Sequence, residues 1–344
     1  MEKSWPFPSH FDAKRVGEVF RVPYARRAEE ARAFAGQQGV QPAWRDAKRI
    51  ALVLVDVQNT FCLPEFELYV AGRSGTGAVD DSVRTCEFIY RNLGRLTQIA
   101  ATLDTHSAAQ IFHPVFWIDQ SGKHPEPHSV ISVEDVEKGA WRPNPALAKS
   151  LGLEDGFDID AYARHYVKTL HEVAKYPLIV WPYHAMVGGI GHALVPAIEE
   201  ATFFHGIARE TRTRFEIKGS HPLTEHYSVL RPEVMHDHKG HAIGERNSKL
   251  SRALLSFDAV VITGQAKSHC VAWTVGDLLA EILSNDGSLA RKIYLLEDCT
   301  SPVVVPGVVD FTDAANAIFT RFASAGMHLV KSTEPMESWP EFPV

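Results

Sequence analysis

The chain has 344 residues, 45% of them apolar and 22% charged, with 23 Gly and 20 Pro, which excludes a disordered or collagen-like polymer. With 35 basic and 42 acidic residues the net charge is 35 − 42 = −7, and no basic stripe marks a nucleic-acid partner. The opening MEKSWPFPSHFDAKR lacks the apolar run of a secretory signal, and no stretch reaches the roughly 18 apolar residues of a membrane helix, so a cytoplasmic protein with no membrane partner is expected.

The first 48 residues carry Trp5, Phe7, Phe11, Phe20 and Tyr24 without a clean period and read as an N-terminal arm. So much aromatic surface calls for burial, on the chain's own domain or on a second copy. The copy is the favoured use, which makes the protein an expected homo-oligomer. IALVLVDVQ at 50–58 has no polar residue before Asp56 and predicts a strand buried on both faces. Val83, Cys86, Ile89, Leu93 and Leu96 then follow at helical spacing behind the cap candidates Asp80, Asp81 and Ser82, predicting a helix over 81–96. IAATLD ends a strand at Asp104, and 120–175 reads as an insertion closing in a helix around Tyr162 to Val173. Strands near Val260, Ile293 and Met327 alternate with helical patterns at Val271/Val275/Leu278/Ile282 and Ala314/Ala317/Ile318/Phe322. The alternation predicts an α/β domain over 49–344, with an α/β/α arrangement of layers, a mainly parallel central sheet and a proline-containing tail.

In such sheets ligands gather at the carboxyl ends of the strands. Asp56 ends the first strand, as a cap or as a costly buried carboxylate. Asp104 and His106 lie two apart, so an extended chain projects both to one face, where they can serve a turn or converge on an ion. WPYHAM offers His184 as a third ligand, with His113, His124 and His128 as competitors. Lys218 ends TRFEIKG before a glycine. Cys270 opens the helical run after VVITGQAKSH, where helix N–H groups lower a thiol's pKa and can hold an oxyanion. Cys62, Cys86 and Cys299 lie in no such position and read as inert buried thiols.

The ordered set of Asp56, Asp104-x-His106, the WPxH histidine His184, Lys218 and the GQAxxHC cysteine Cys270 resembles the isochorismatase-like cysteine hydrolases, and among them the nicotinamidases. Their DxQxxF pattern is matched by Asp56, Gln58 and Phe61, and their GxAxxHC pattern by Gly264, Ala266, His269 and Cys270. The likeness runs from about residue 50 to 331. It implies a catalytic triad of Asp56, Lys218 and Cys270, an oxyanion hole from the N–H groups of Ala266 and Cys270, and a commonly cis Gln265–Ala266 peptide. It also implies one divalent ion on Asp104, His106 and His184, with Zn expected and Fe or Mn as alternatives, and an aromatic grip on the substrate from Phe61, Trp181 and Tyr227. Ala185 stands where nicotinamidases often have cysteine, and GSHPLTEHYSVL after Lys218 differs from the aromatic, glycine-rich stretch of close relatives.

The expected activity is hydrolysis of a small amide, nicotinamide to nicotinate and ammonia, through a thioester. The alternatives are a related amidase acting on another amide or a carbamoyl compound, a nitrilase-type amidase without metal, a zinc hydrolase with a structural cysteine, and a non-catalytic binding module.

Overall fold

The computed structural model describes residues 5–151, 153, 156–172 and 176–343, so Val173 and Lys175, at the ends of the expected helix and insertion, lie outside the described residues. In chain order the principal elements are α1 (Tyr24–Gln38), β1 (Ile50–Val55), α2 (Gly77–Arg91), β2 (Gln98–Asp104), α3 (Ile159–Glu172), α4 (Pro196–Ala208), β3 (Arg214–Lys218), α5 (Ser248–Leu255), β4 (Ala259–Gly264), α6 (Ala272–Asn285), β5 (Ile293–Leu296), α7 (Thr312–Ser324) and β6 (His328–Val330). The chain divides into two compact units, one of Met1–Leu103, Ala193–Glu216 and Ser248–Val344, the other of Asp104–His192 and Ile217–Asn247. Among the described residues no helix is long and apolar enough to cross a membrane.

The six-stranded sheet runs β6-β5-β4-β1-β2-β3, parallel and flanked by helices, as the alternating pattern requires. Every residue of β1 and of β4 is buried, because central parallel strands are covered on both faces. Strand order reverses between β1 and β4, which pair in parallel with Val55 opposite Gly264. In open α/β sheets such a reversal of strand order is where ligands bind, outside the carboxyl ends of the strands.

Two boundaries differ from expectation. α2 begins at Gly77 behind Thr76, not at the cap-type residues Asp80 to Ser82, and ends at Arg91. Asp81 is spent inside the fold, accepting from Gln265 Nε2 at 2.9 Å and pairing with Arg84 Nη2 at 2.8 Å. The arm contains α1, which has no apolar period because its buried residues are Arg27 and Ala31.

α1 packs on α4 of its own unit, while Phe11 and Phe20 pack against that unit's core. Two ion pairs hold this region, one buried at both ends and one joining buried Arg209 to partly buried Asp46. Arg27 Nε meets Glu200 Oε1 at 2.5 Å, and fully buried Arg209 reaches Asp46 through Nη2 at 2.5 Å while donating to Leu96 O and Gln41 O. Removing one member of such a pair leaves its partner's charge buried and uncompensated. Arg209→Ala should therefore cost about 3–5 kcal/mol of unfolding free energy in denaturant titration; a loss under about 1 kcal/mol would show that Asp46 finds adequate solvation without it.

The second unit contains residues 120–172, most of the stretch read from the sequence as an insertion. Trp117–Ile118 pairs with Arg142–Pro143, and Val130–Ile131 with Leu178–Ile179, both antiparallel. A capping box at Ser132 and Asp135 starts the short helix Val133–Glu137, which packs on α3. α3 buries Tyr162, Ala163, Tyr166, Val167 and Leu170, the three-to-four spacing of one helical face.

Candidate functional site

In the first unit, Asp56 follows β1 and Cys270 follows β4, on either side of the strand-order reversal. Asp56 is fully buried at φ 48, a left-handed conformation that aspartate adopts only at a cost. Its N–H donates to Thr102 Oγ1 at 3.0 Å and its Oδ1 accepts from that hydroxyl. Gly264 has φ 123, and a Cβ there would lie 2.0 Å from Val55 O, so glycine alone lets β4 close on β1 at this point.

The Gln265–Ala266 peptide is cis. Around it Gln265 N–H donates to Val55 O at 2.8 Å, its Nε2 to Asp81, and its Oε1 accepts from Ser301 N at 3.3 Å. The turn Lys267–Val271 carries Cys270 directly into α6, and His269 and Val271 N–H both donate to Ala266 O, at 3.0 and 3.2 Å. Cys62, Cys86 and Cys299 are 0% exposed and burial pushes each thiol up, whereas Cys270 is 7% exposed. Phe61 lies in the short helix Asn59–Cys62 and belongs to the hydrophobic core of this unit.

In the second unit the chain at 104–106 runs between two others. Thr105 N–H donates to Lys218 O, His106 N–H to Ala185 O and Val187 N–H to His106 O, each at 2.9 Å. This lattice brings together Asp104, His106, His184 and Lys218, all buried. Asp104 Oδ1 lies 3.1 Å from His106 Nε2 and 2.9 Å from Lys218 Nζ, and Oδ2 lies 3.9 Å from His184 Nε2. Lys218 Nζ also donates to His226 O at 2.8 Å.

His113, the first reserve ligand in sequence, joins the group. The ligand atoms of His106, His113 and His184 lie within 4.8 Å of one another. The loop bearing His113 is tied in by buried Gln110, which accepts from Ser107 N–H at 3.1 Å and donates to Gly219 O at 2.6 Å. His124 is exposed and His128 is partly exposed, and neither enters the cluster.

Three observations fit this pocket to a cation. Each histidine directs Nδ1 at a backbone carbonyl: His106 to His184 O at 3.3 Å, His113 to Ser107 O at 3.1 Å, His184 to Pro182 O at 2.7 Å. Donation there fixes the tautomer and turns an Nε2 lone pair inward. His113 Nε2 is buried without a hydrogen-bond partner. Burial, then His106, holds the His113 imidazole down at about 4, and His184 is lowered by burial, His106 and His113, so both are neutral and ready to coordinate. Burial would raise Asp104, but His106 and Lys218 beside it keep the carboxyl below its ordinary range. Gly219, at φ +83, caps the cluster: a Cβ would lie 2.5 Å from Asp104 Oδ1 and 2.8 Å from His106 Nε2.

Trp181 Nε1 donates to Glu225 Oε1 at 2.8 Å and to Tyr227 Oη at 3.1 Å, so two of the three aromatic residues expected at the substrate meet. Sequence reasoning missed Glu225, the buried carboxyl that joins them.

No protein-family model matches the chain, and no curated protein sequence matches it. Solved structures do. Yeast nicotinamidase is 20% identical with a TM-score of 0.50, over 82% of this chain and 99% of that one. A nicotinamidase/pyrazinamidase of Acinetobacter baumanii is 19% identical with a TM-score of 0.48, over 84% and 99%. A pyrazinamidase of Pyrococcus horikoshii, solved with zinc, is 16% identical with a TM-score of 0.43, over 82% and 99%. The likeness to the yeast enzyme is one of fold: the chain has the isochorismatase-like α/β fold.

Proposed function

We propose that the protein is a metal-containing cysteine amidohydrolase that releases ammonia from a small amide, nicotinamide being the favoured substrate, through a thioester on Cys270. The observation that carries this reading is the placement of buried Asp56 just past β1 and of the Cys270 turn just past β4, on either side of the strand-order reversal, the place where an open α/β sheet binds its ligand.

In this reading Asp56 takes the Cys270 proton and the thiolate attacks the amide carbon. Lys218 offsets the burial of negative charge, and the N–H groups of Ala266 and Cys270 receive the developing oxyanion, each such donor being worth about 10²–10³ in rate. Asp56 returns the proton to departing ammonia, then activates a water that hydrolyses the thioester to the acid. Asp104, His106, His113 and His184 would hold the ion; three imidazoles and one carboxylate suit zinc, with Fe²⁺ or Mn²⁺ as alternatives. When bound, the ion offers a Lewis-acidic point that a ring nitrogen of the substrate can occupy. Trp181 and Tyr227 flank the ring, and Phe61 serves the first unit's core and the substrate's edge.

The test is ammonia release from nicotinamide, with pyrazinamide and carbamoyl compounds alongside, and intact-mass spectrometry during turnover. An acyl adduct on Cys270 that vanishes in Cys270→Ser is expected. An adduct on another cysteine, or undiminished turnover in that variant, overturns the assignment.

A further inference from the structure

Trp181 and Tyr227 are held by a chain segment, 223–227, that is itself held from behind. Tyr162 Oη donates to Leu223 O at 2.7 Å, and Glu225 N–H donates to Tyr166 Oη at 3.2 Å. Both tyrosines are fully buried on α3, the helix of the insertion. The segment is braced further by Glu233 N–H to Glu225 O at 2.8 Å and Val234 N–H to Thr224 Oγ1 at 3.1 Å. Its outward product is the Glu225 carboxyl on Trp181 Nε1.

We propose that α3 of the insertion sets the substrate-recognition surface: Tyr162 and Tyr166 pin residues 223–227, and Glu225, as a positioning residue, fixes the Trp181–Tyr227 pair. The proposal rests on the reading of that pair as the ring-binding surface. A planar ring is gripped well only if its walls are ordered beforehand, since ordering them on binding subtracts from affinity. An indole whose N–H is committed to a buried carboxyl is ordered in this way. The helix therefore acts on binding rather than on the bond-breaking step, and its signature is a change in KM with little change in kcat. Burial, reinforced by Glu233, pushes the Glu225 carboxyl well above its ordinary value, and glutamine is its near-isosteric substitute, keeping an oxygen to accept from Trp181.

The experiment uses the full chain labelled with ¹⁵N-tryptophan, the Trp181 indole resonance being identified by its loss in Trp181→Phe. In Tyr166→Phe and in Glu225→Ala that resonance should shift and its hydrogen exchange should quicken at least about tenfold. Glu225→Gln should keep both near wild type. With nicotinamide, KM should rise about tenfold in Tyr166→Phe and kcat stay within about twofold. Tyr162→Phe gives a second readout of the same kind should Tyr166→Phe fold poorly. An unchanged indole resonance and exchange rate in the tyrosine variants overturns the proposal, as does a fall in kcat at constant KM. If wild-type protein leaves nicotinamide intact, the substrate assignment fails, and the indole measurement still decides the role of α3.

Discussion

Replacing Cys270 by alanine is expected to lower kcat for nicotinamide at least about 10⁴-fold, because a nucleophile and its base act as a unit and loss of the nucleophile removes covalent catalysis outright. Bound metal should be unaffected, since Cys270 is not among the residues that would hold the ion. Melting temperature should move little, the change being one sulfur at a site 7% exposed. The combination separates the proposal from its main rival: if a metal-held water did the attacking, Cys270→Ala would retain most activity.

The second large effect concerns the metal group. His113→Ala and His184→Ala should each weaken zinc binding by roughly 100-fold or more, measured by competition with a chromophoric chelator, because each deletes a neutral buried donor whose tautomer is already fixed. Gly219→Ala should do the same without deleting any ligand. Its methyl would intrude on Asp104 Oδ1 and His106 Nε2, and the backbone at φ +83 disfavours a side chain in any case. Unaltered affinity in His113→Ala would return the ligand set to Asp104, His106 and His184.

What the sequence disclosed follows from how each element is buried. β1 and β4 were legible because central parallel strands are apolar throughout. α1 was not, because it docks through Arg27 and Ala31 and takes its hold from ion pairs that leave no apolar period. The start of α2 was misread because Asp81, a cap-type residue, binds a side chain distant in sequence. At the metal group, Asp104 and His106 stood out through strand alternation and His184 through its motif. His113 remained a reserve, since the seven residues from His106 pass through a loop whose closure depends on Gln110 and Gly219. Glu225 left no trace, for nothing local says that a glutamate will be buried against an indole.

The seclusion of Cys62, Cys86 and Cys299 has a practical side. Thiolates, not thiols, react with electrophiles, and burial suppresses ionisation at all three. Of the four cysteines only Cys270 retains any exposure, so a chloroacetamide or a vinyl sulfone should label it ahead of the others, with no need to engineer those away. Under the proposed role of Cys270, mole fraction of label becomes a titre of competent enzyme in any preparation, and a tagged warhead would report occupancy by candidate amides through simple protection, before any product has been identified.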